Sequence, residues 1–210
     1  MNLDAHDGNA GLTALASLRR FVRPRAARER CELCDAELAD DHSHLVEPST
    51  RRLVCACEAC SILFSGQGGA RFRRVPRRVR FLPEFRLTDE AWAGLNLPID
   101  LAFFVFSTPQ DRVVALYPSP AGATEVTVTP EAWEELMADN PVLRDFEPGA
   151  EGLLVNRVGE ASECYRVGID ECYRLVGLIR THWRGLSGGA AVWGHIHGFF
   201  ADLKERSPHA

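Results

Sequence analysis

The chain has 210 residues, a formal net charge of −5 and 46% hydrophobic residues. This composition is typical of a globular protein with one medium-sized or two small domains, and it excludes a largely disordered chain. No run of about 18 apolar residues occurs, and the acidic N-terminus lacks the apolar core of a secretory signal. We therefore expect no membrane insertion and a cytoplasmic location.

Charge is divided unevenly along the chain. Residues 1–86 contain 15 arginines and 11 acidic residues, whereas residues 87–210 contain nine basic and 18 acidic residues. A change of pattern accompanies the change of charge. We therefore predict four parts: an N-terminal arm (1–28), a metal knuckle (29–66), a basic connector (67–87) and an α+β domain (88–210).

The arm contains one short amphipathic pattern. Leu12, Leu15, Leu18 and Val22 follow one another at three- and four-residue intervals. This spacing predicts a helix over residues 11–22, which Pro24 ends.

The metal knuckle contains four of the seven cysteines, as two Cys-x-x-Cys pairs. Cys31 and Cys34 precede Cys57 and Cys60 with 22 residues between the pairs, a spacing that suits one tetrahedral metal ion. In a reducing compartment such pairs are more often metal ligands than disulfides. Four thiolates leave no open position for a substrate, so we predict a structural zinc ion in a knuckle of zinc-ribbon or treble-clef type.

A β-hairpin over residues 44–55 is predicted between the two cysteine pairs. Cys55 precedes Cys57 by two residues and could replace one of the four ligands, although the paired assignment is favoured. His42 and His44 share one face of an extended segment. They could bind the same ion or support one of its ligands.

The basic connector is rich in arginine. Residues 71–85 contain six arginines and two prolines, which favour an extended segment. Such a cluster could bind nucleic-acid phosphates. Because the second half of the chain is acidic, we favour a strap that lies across the α+β domain.

The last part predicts an antiparallel sheet followed by C-terminal helices. A helix should begin after Thr129 and end at Asn140, and two longer helices should follow over residues 169–183 and after Gly189. The two longer helices are expected to cover one face of the sheet, and Cys164 and Cys172 are expected to be buried thiols. The predicted strands are residues 101–106, 113–117, 125–129, 152–155 and 164–167.

Two other patterns, a histidine pair and a glycine-rich segment, predict no functional site. His195 and His197 lie two positions apart on a predicted helix, about 200° around its axis, so they cannot share one ion. The glycine-rich residues 65–69 lack the Lys-Ser/Thr pair of a phosphate-binding loop. We single out no catalytic residue.

The cysteine pairs resemble those of two known groups. Rubredoxins bind iron with a similar quartet, which implies electron transfer as an alternative, but Cys57-Glu-Ala-Cys60 lacks their usual proline. The order Cys31-Glu-Leu-Cys34, His44-Leu-Val and Cys57-Glu-Ala-Cys60 resembles zinc-containing HNH nucleases. Residues 61–64 are apolar where that family has polar metal ligands, so a nuclease, like a nucleic-acid-binding zinc protein, is a lesser alternative.

Several motifs follow one another between residues 29 and 203. They are the cysteine frame, His42-Ser-His-Leu45, the arginine-rich connector, residues 97–104, Ile169-Asp-Glu-Cys-Tyr173 and Trp183-Arg-Gly-Leu-Ser-Gly-Gly189. Their order resembles an uncharacterised bacterial family whose members are encoded beside uptake nickel-iron hydrogenases of the actinobacterial type. The resemblance implies a non-catalytic accessory protein for hydrogenase assembly, maturation or function, with a hydrogenase subunit or maturation factor as its partner. It implies no catalytic residue.

Overall fold

The structure is a computed structural model that describes residues 29–66, 70–185 and 188–207. The predicted arm helix over residues 11–22 lies outside these ranges. The strands are β1 (Ser43–Glu47), β2 (Arg52–Ala56), β3 (Arg73–Arg74), β4 (Arg80–Phe81), β5 (Leu101–Ser107), β6 (Arg112–Ser119), β7 (Gly122–Thr127), β8 (Glu151–Asn156) and β9 (Glu163–Gly168). The helices are α1 (Glu58–Phe64), α2 (Asp89–Gly94), α3 (Pro130–Asp139), α4 (Ile169–His182) and α5 (Gly189–Arg206), with a 3-10 helix at Pro141–Asp145.

The larger sheet has the strand order β4-β9-β8-β5-β6-β7, and every neighbouring pair is antiparallel. All five predicted strands are present, and the α+β fold class is confirmed. Nearly every side chain of the central strand β5 is buried. Because helices cover both faces of this sheet, β5 is a continuous apolar run instead of alternating between apolar and polar residues.

The C-terminal helices α4 and α5 pack on one face of the sheet, as predicted. Phe103, Leu154 and Tyr165 of the sheet share a buried cluster with Ile179 of α4 and Ile196 of α5. Cys172 of α4 is buried in the same cluster, which confirms its prediction as a buried thiol. The predicted apolar stripes of the two helices therefore form core.

The opposite face is covered by α2, α3 and the 3-10 helix. Trp92 of α2, Leu136 of α3 and Leu143 of the 3-10 helix pack with Phe104 and Cys164 of the sheet. The sequence interpretation contained α3 but not α2, which is six residues long. The domain therefore has three layers, with the sheet between two groups of helices.

The smaller sheet has the order β2-β1-β3 and includes the predicted hairpin. Helix α1 follows β2 directly and carries the second cysteine pair at its start. A cysteine turn, a hairpin and a helix in this order are the parts of a treble clef. The structure thus supports the treble-clef alternative over the ribbon.

The connector contributes a strand to each sheet, since β3 pairs with β1 and β4 pairs with β9. The connector thus lies on the α+β domain through β4, as predicted for a strap. Its arginines, however, form ion pairs with acidic residues of 29–66, because the β3–β1 pairing brings them beside the hairpin. These pairs are Arg71–Glu47, Arg74–Glu58 and Arg77–Asp41. The boundaries of the four predicted parts stay a prediction.

The hairpin is also joined to the larger domain. Val46 of β1 is fully buried in the cluster beneath α4 and α5. Arg51, in the hairpin turn, forms an ion pair with Glu125 of β7 at 2.5 Å, and Arg73 donates a hydrogen bond to the carbonyl oxygen of Pro148 at 2.9 Å. These contacts fix one face of the hairpin against the larger domain.

Gly168 is a sensitive point of this packing, because the connector crosses it closely. A Cβ atom there would lie 2.7 Å from Cγ1 of Val75 and closer still to the carbonyl oxygen of Pro76. We expect Gly168→Ala to displace the connector backbone and to lower the free energy of unfolding by about 1–3 kcal/mol, measured by urea denaturation. Gly177→Ala in α4 is the matched control, since nothing lies within 4 Å of its added Cβ. Equal stability of the two variants would contradict the close crossing.

Candidate metal centre

The first cysteine pair lies in a tight turn. The turn is closed by the N–H of Asp35, which donates to the carbonyl oxygen of Cys31 at 2.8 Å, and by the N–H of Cys31, which donates to that of Ala36 at 2.8 Å. Asp35 adopts a positive φ of 63° to complete it. This backbone geometry places Cys31 and Cys34 on the same side of the turn.

The second pair occupies the first turn of α1. Cys57 is the N-cap residue, and its Sγ accepts a hydrogen bond from the N–H of Cys60 at 3.5 Å. The helix thereby aims both sulfurs toward the first pair.

The four sulfurs form one group in which all ligand atoms lie within 4.8 Å of one another. The Sγ atoms of Cys34 and Cys57 are 3.7 Å apart. A tetrahedral ion with metal–sulfur bonds of about 2.3 Å requires sulfur–sulfur distances of about 3.8 Å. The four residues predicted as ligands are therefore brought together at a spacing that fits a zinc or iron ion.

Burial and hydrogen bonding differ between the thiols. Burial raises the pKa of Cys31, but N–H groups of Cys57, Leu33 and Cys34 outweigh it and lower the pKa to about 6. Burial, followed by the neighbouring thiols, raises the pKa of Cys60 to about 12. A cation among these sulfurs would favour the thiolate form at every position, so binding should release protons.

Cys55 does not join this quartet. It forms a second group with His42 and His44, in which the possible ligand atoms again lie within 4.8 Å of one another. The sequence left open whether these three residues contribute to the cysteine site. The structure gathers them separately from the four paired cysteines.

Asp170, at the start of α4, contacts this second group. Its Oδ2 lies 2.8 Å from Nδ1 of His44. This hydrogen bond raises the pKa of His44, while partial burial opposes the shift. The sequence offered no signal for the pair, because the two residues are 126 positions apart and the charge of Asp170 suited the helix dipole by itself.

Among the described residues, these two groups are the clusters of metal-ligand type. His195 instead stacks on His182 with the ring centroids 3.7 Å apart.

Gly188 and Gly189 have φ angles of 83° and 73°, and a Cβ on Gly188 would meet the Trp183 ring at 3.0 Å. A structural requirement thus accounts for both glycines.

No helix in the described ranges combines the length and apolarity needed to cross a membrane.

Residues 30–207 match the model of a protein family described as "Family of unknown function (DUF5947)". The chain belongs to the DUF5947 family. Neither the curated proteins nor the solved structures contain a match. The DUF5947 match includes both groups of metal-ligand type and the α+β domain, while the hydrogenase setting stays a prediction.

The quartet predicts a large difference between two cysteine substitutions. If the four sulfurs bind one metal ion, Cys34→Ser should contain about one equivalent less metal than the parent chain, because it opens a closed site whose binding energy is also folding energy. Cys164→Ser is the control, since its thiol is buried in the core beside α2 and α3. Elemental analysis of the folded variants measures the difference. Equal metal content would contradict the ligand assignment.

Proposed function

We propose that this protein is a non-catalytic accessory protein that acts through protein contacts and is located in the cytoplasm. A zinc ion at Cys31, Cys34, Cys57 and Cys60 holds its knuckle. On the family resemblance, its partner is a nickel-iron hydrogenase subunit or maturation factor, and its role is assembly, maturation or function of that enzyme.

The observation that carries the proposal is an exposed apolar surface on α1. Ile62, Leu63 and Phe64 are 61%, 74% and 46% exposed. Among the described residues, Ile99 is the other exposed large hydrophobic side chain. Apolar side chains clustered at a surface are typical of a protein contact, and large aromatic and aliphatic groups supply much of its energy.

The metal ion would also give this surface its shape. Helix α1 has seven residues, and a helix of this length is not stable by itself in water. Cys57 and Cys60 lie in its first turn and anchor it to the cysteine turn through the ion. The same ion that folds the knuckle therefore holds the apolar surface, here named the α1 patch (Ile62, Leu63 and Phe64), in one conformation.

Charge near the knuckle favours a protein partner over nucleic acid. Arg71 and Arg74 of the connector pair with Glu47 and Glu58 at 2.7 and 2.8 Å. These pairs reduce the positive charge that the connector offers to phosphates, whereas sequence-independent nucleic-acid binding depends on such charge. The α1 patch needs no charged partner.

The identity of the metal is tested directly by purification. Protein prepared without added metal or a nickel column should contain zinc and remain colourless. Elemental analysis with an ultraviolet-visible spectrum measures both. Iron with thiolate charge-transfer bands would contradict the structural zinc and support the rubredoxin-like alternative, because zinc has no redox chemistry.

If the α1 patch is the contact surface, substitutions in it should weaken binding of the partner. Tagged wild-type protein should capture hydrogenase subunits or maturation factors from cells that express both. The double substitution Ile62→Ser with Leu63→Ser should reduce capture by tenfold or more, which corresponds to about 1.4 kcal/mol or more. Mass spectrometry of the captured proteins measures the change.

Ile99→Ser is the matched control, since it removes an exposed apolar side chain from a different part of the chain and should leave capture unchanged. A wild-type pull-down without hydrogenase proteins would contradict the proposed partner. Capture that survives the double substitution would contradict the α1 patch as the contact surface.

A further inference from the structure

The two faces of the hairpin have different surroundings. His44 pairs with Cys55 across the strands, and Leu45 pairs with Val54. Successive side chains of a strand point to opposite faces. Leu45 and Val54 pack in the knuckle core with Cys31 and Cys60. Alternation therefore places His44 and Cys55 together on the other face of the hairpin, where His44 contacts Asp170 of the α+β domain, while the partly buried Cys55 also packs against the knuckle core.

His42 completes a group of three on this side. Its side chain is 7% exposed, and its Nε2 atom is buried without a hydrogen-bond partner. Its Nδ1 lies 3.0 Å from the carbonyl oxygen of Ala39. A carbonyl oxygen only accepts, so Nδ1 carries a proton, and in the neutral imidazole Nε2 presents a lone pair. A buried lone pair without a partner is costly unless something binds it.

The ring of His44 is also oriented through its Nδ1 atom, which lies 2.8 Å from Oδ2 of Asp170. The Asp170 carboxylate is held at the start of α4, because its Oδ1 accepts a hydrogen bond from the N–H of Glu171 at 2.9 Å. A carboxylate that holds Nδ1–H orients the ring and leaves Nε2 as a basic ligand atom. Histidine ligands of metal ions commonly have such a support.

We propose that His42, His44 and Cys55 bind a second divalent transition-metal ion, separate from the ion of the four paired cysteines. The ligands are the two Nε2 atoms and the Cys55 thiolate, a set that suits zinc and the neighbouring first-row metals. Each of the three residues has a ring nitrogen or sulfur within 4.8 Å of those of the other two. Tetrahedral binding needs ligand atoms about 3.3–3.8 Å apart, so the three side chains must move closer together on binding.

Three protein ligands leave one coordination position for a further ligand. His42 and His44 line a polar cleft of about 520 Å³ between the knuckle and helices α4 and α5, which Asp170, Arg174 and Arg206 also line. The fourth ligand is therefore water or a small polar molecule from this cleft. A three-ligand ion with an open position differs in kind from the closed cysteine quartet.

The number of ions per chain tests the proposal. Reduced full-length protein, stripped with a chelator and then saturated with Zn²⁺, should retain two ions per chain after unbound zinc is removed. His42→Ala and Cys55→Ser should each retain one. The matched controls His195→Ala and Cys164→Ser should retain two. Elemental analysis with protein quantification gives the counts, and circular dichroism verifies folding.

A milder variant covers the case in which His42→Ala or Cys55→Ser does not fold. Asp170→Asn keeps the shape of the side chain but weakens its support of His44. It should weaken one zinc-binding step by about 10–100-fold and leave the other unchanged. Competition with a chromophoric chelator resolves the two steps.

One ion in the wild-type protein would overturn the proposal, as would two ions in both His42→Ala and Cys55→Ser. An Asp170→Asn protein with two unchanged binding steps would also overturn it. These results leave the cysteine quartet unaffected, since Cys34→Ser tests that site separately. Failure of the second site is thus distinguishable from failure of the structural zinc.

Discussion

The alternation of side chains along strand β1 is the constraint on which the rest of the arrangement depends. Leu45 points into the knuckle core and the adjacent Val46 into the core of the larger domain, and both are completely buried. A shift of one residue in the pairing with β2 would exchange the two faces. The register of this hairpin therefore fixes the position of the cysteine quartet, of the His42, His44 and Cys55 group, and of the connector that pairs through β3.

The knuckle core is too small to define its own fold. Its buried members include two cysteines of the quartet, and the apolar remainder is a handful of side chains around Leu45 and Phe72. Such a core gains little from burial alone, so small modules of this size usually need a metal ion or another cross-link. The α+β domain has two much larger clusters, on opposite faces of its sheet, and neither contains a paired cysteine. A metal ion bound by the four cysteines would thus stabilise the knuckle and not the core of the α+β domain.

The sequence predicted the features that depend on local pattern. Apolar runs predicted the strands from β5 to β9, and apolar residues at three- and four-residue intervals predicted α4 and α5. The spacing of the cysteines predicted the quartet. Helix α2 was missed because six residues hold too little periodicity, and β3 and β4 because two-residue strands exist only through their partners. The contact of His44 with Asp170 joins residues 126 positions apart, and only the packing of the hairpin against α4 creates it.

The role proposed for Cys55 depends on strand pairing as well as on its position in the sequence. In the sequence Cys55 is an additional thiol close to Cys57, and strand pairing places it opposite His44. An ion bound there would lie where the knuckle meets the start of α4, since Asp170 supports one of its ligands. Binding would then favour the conformation in which hairpin and helix are docked, because an ion that binds one arrangement better than others stabilises it. The second ion would therefore stabilise the docking of the knuckle against α4. Because the knuckle carries the α1 patch, metal binding at this junction would be coupled to the surface proposed for the partner.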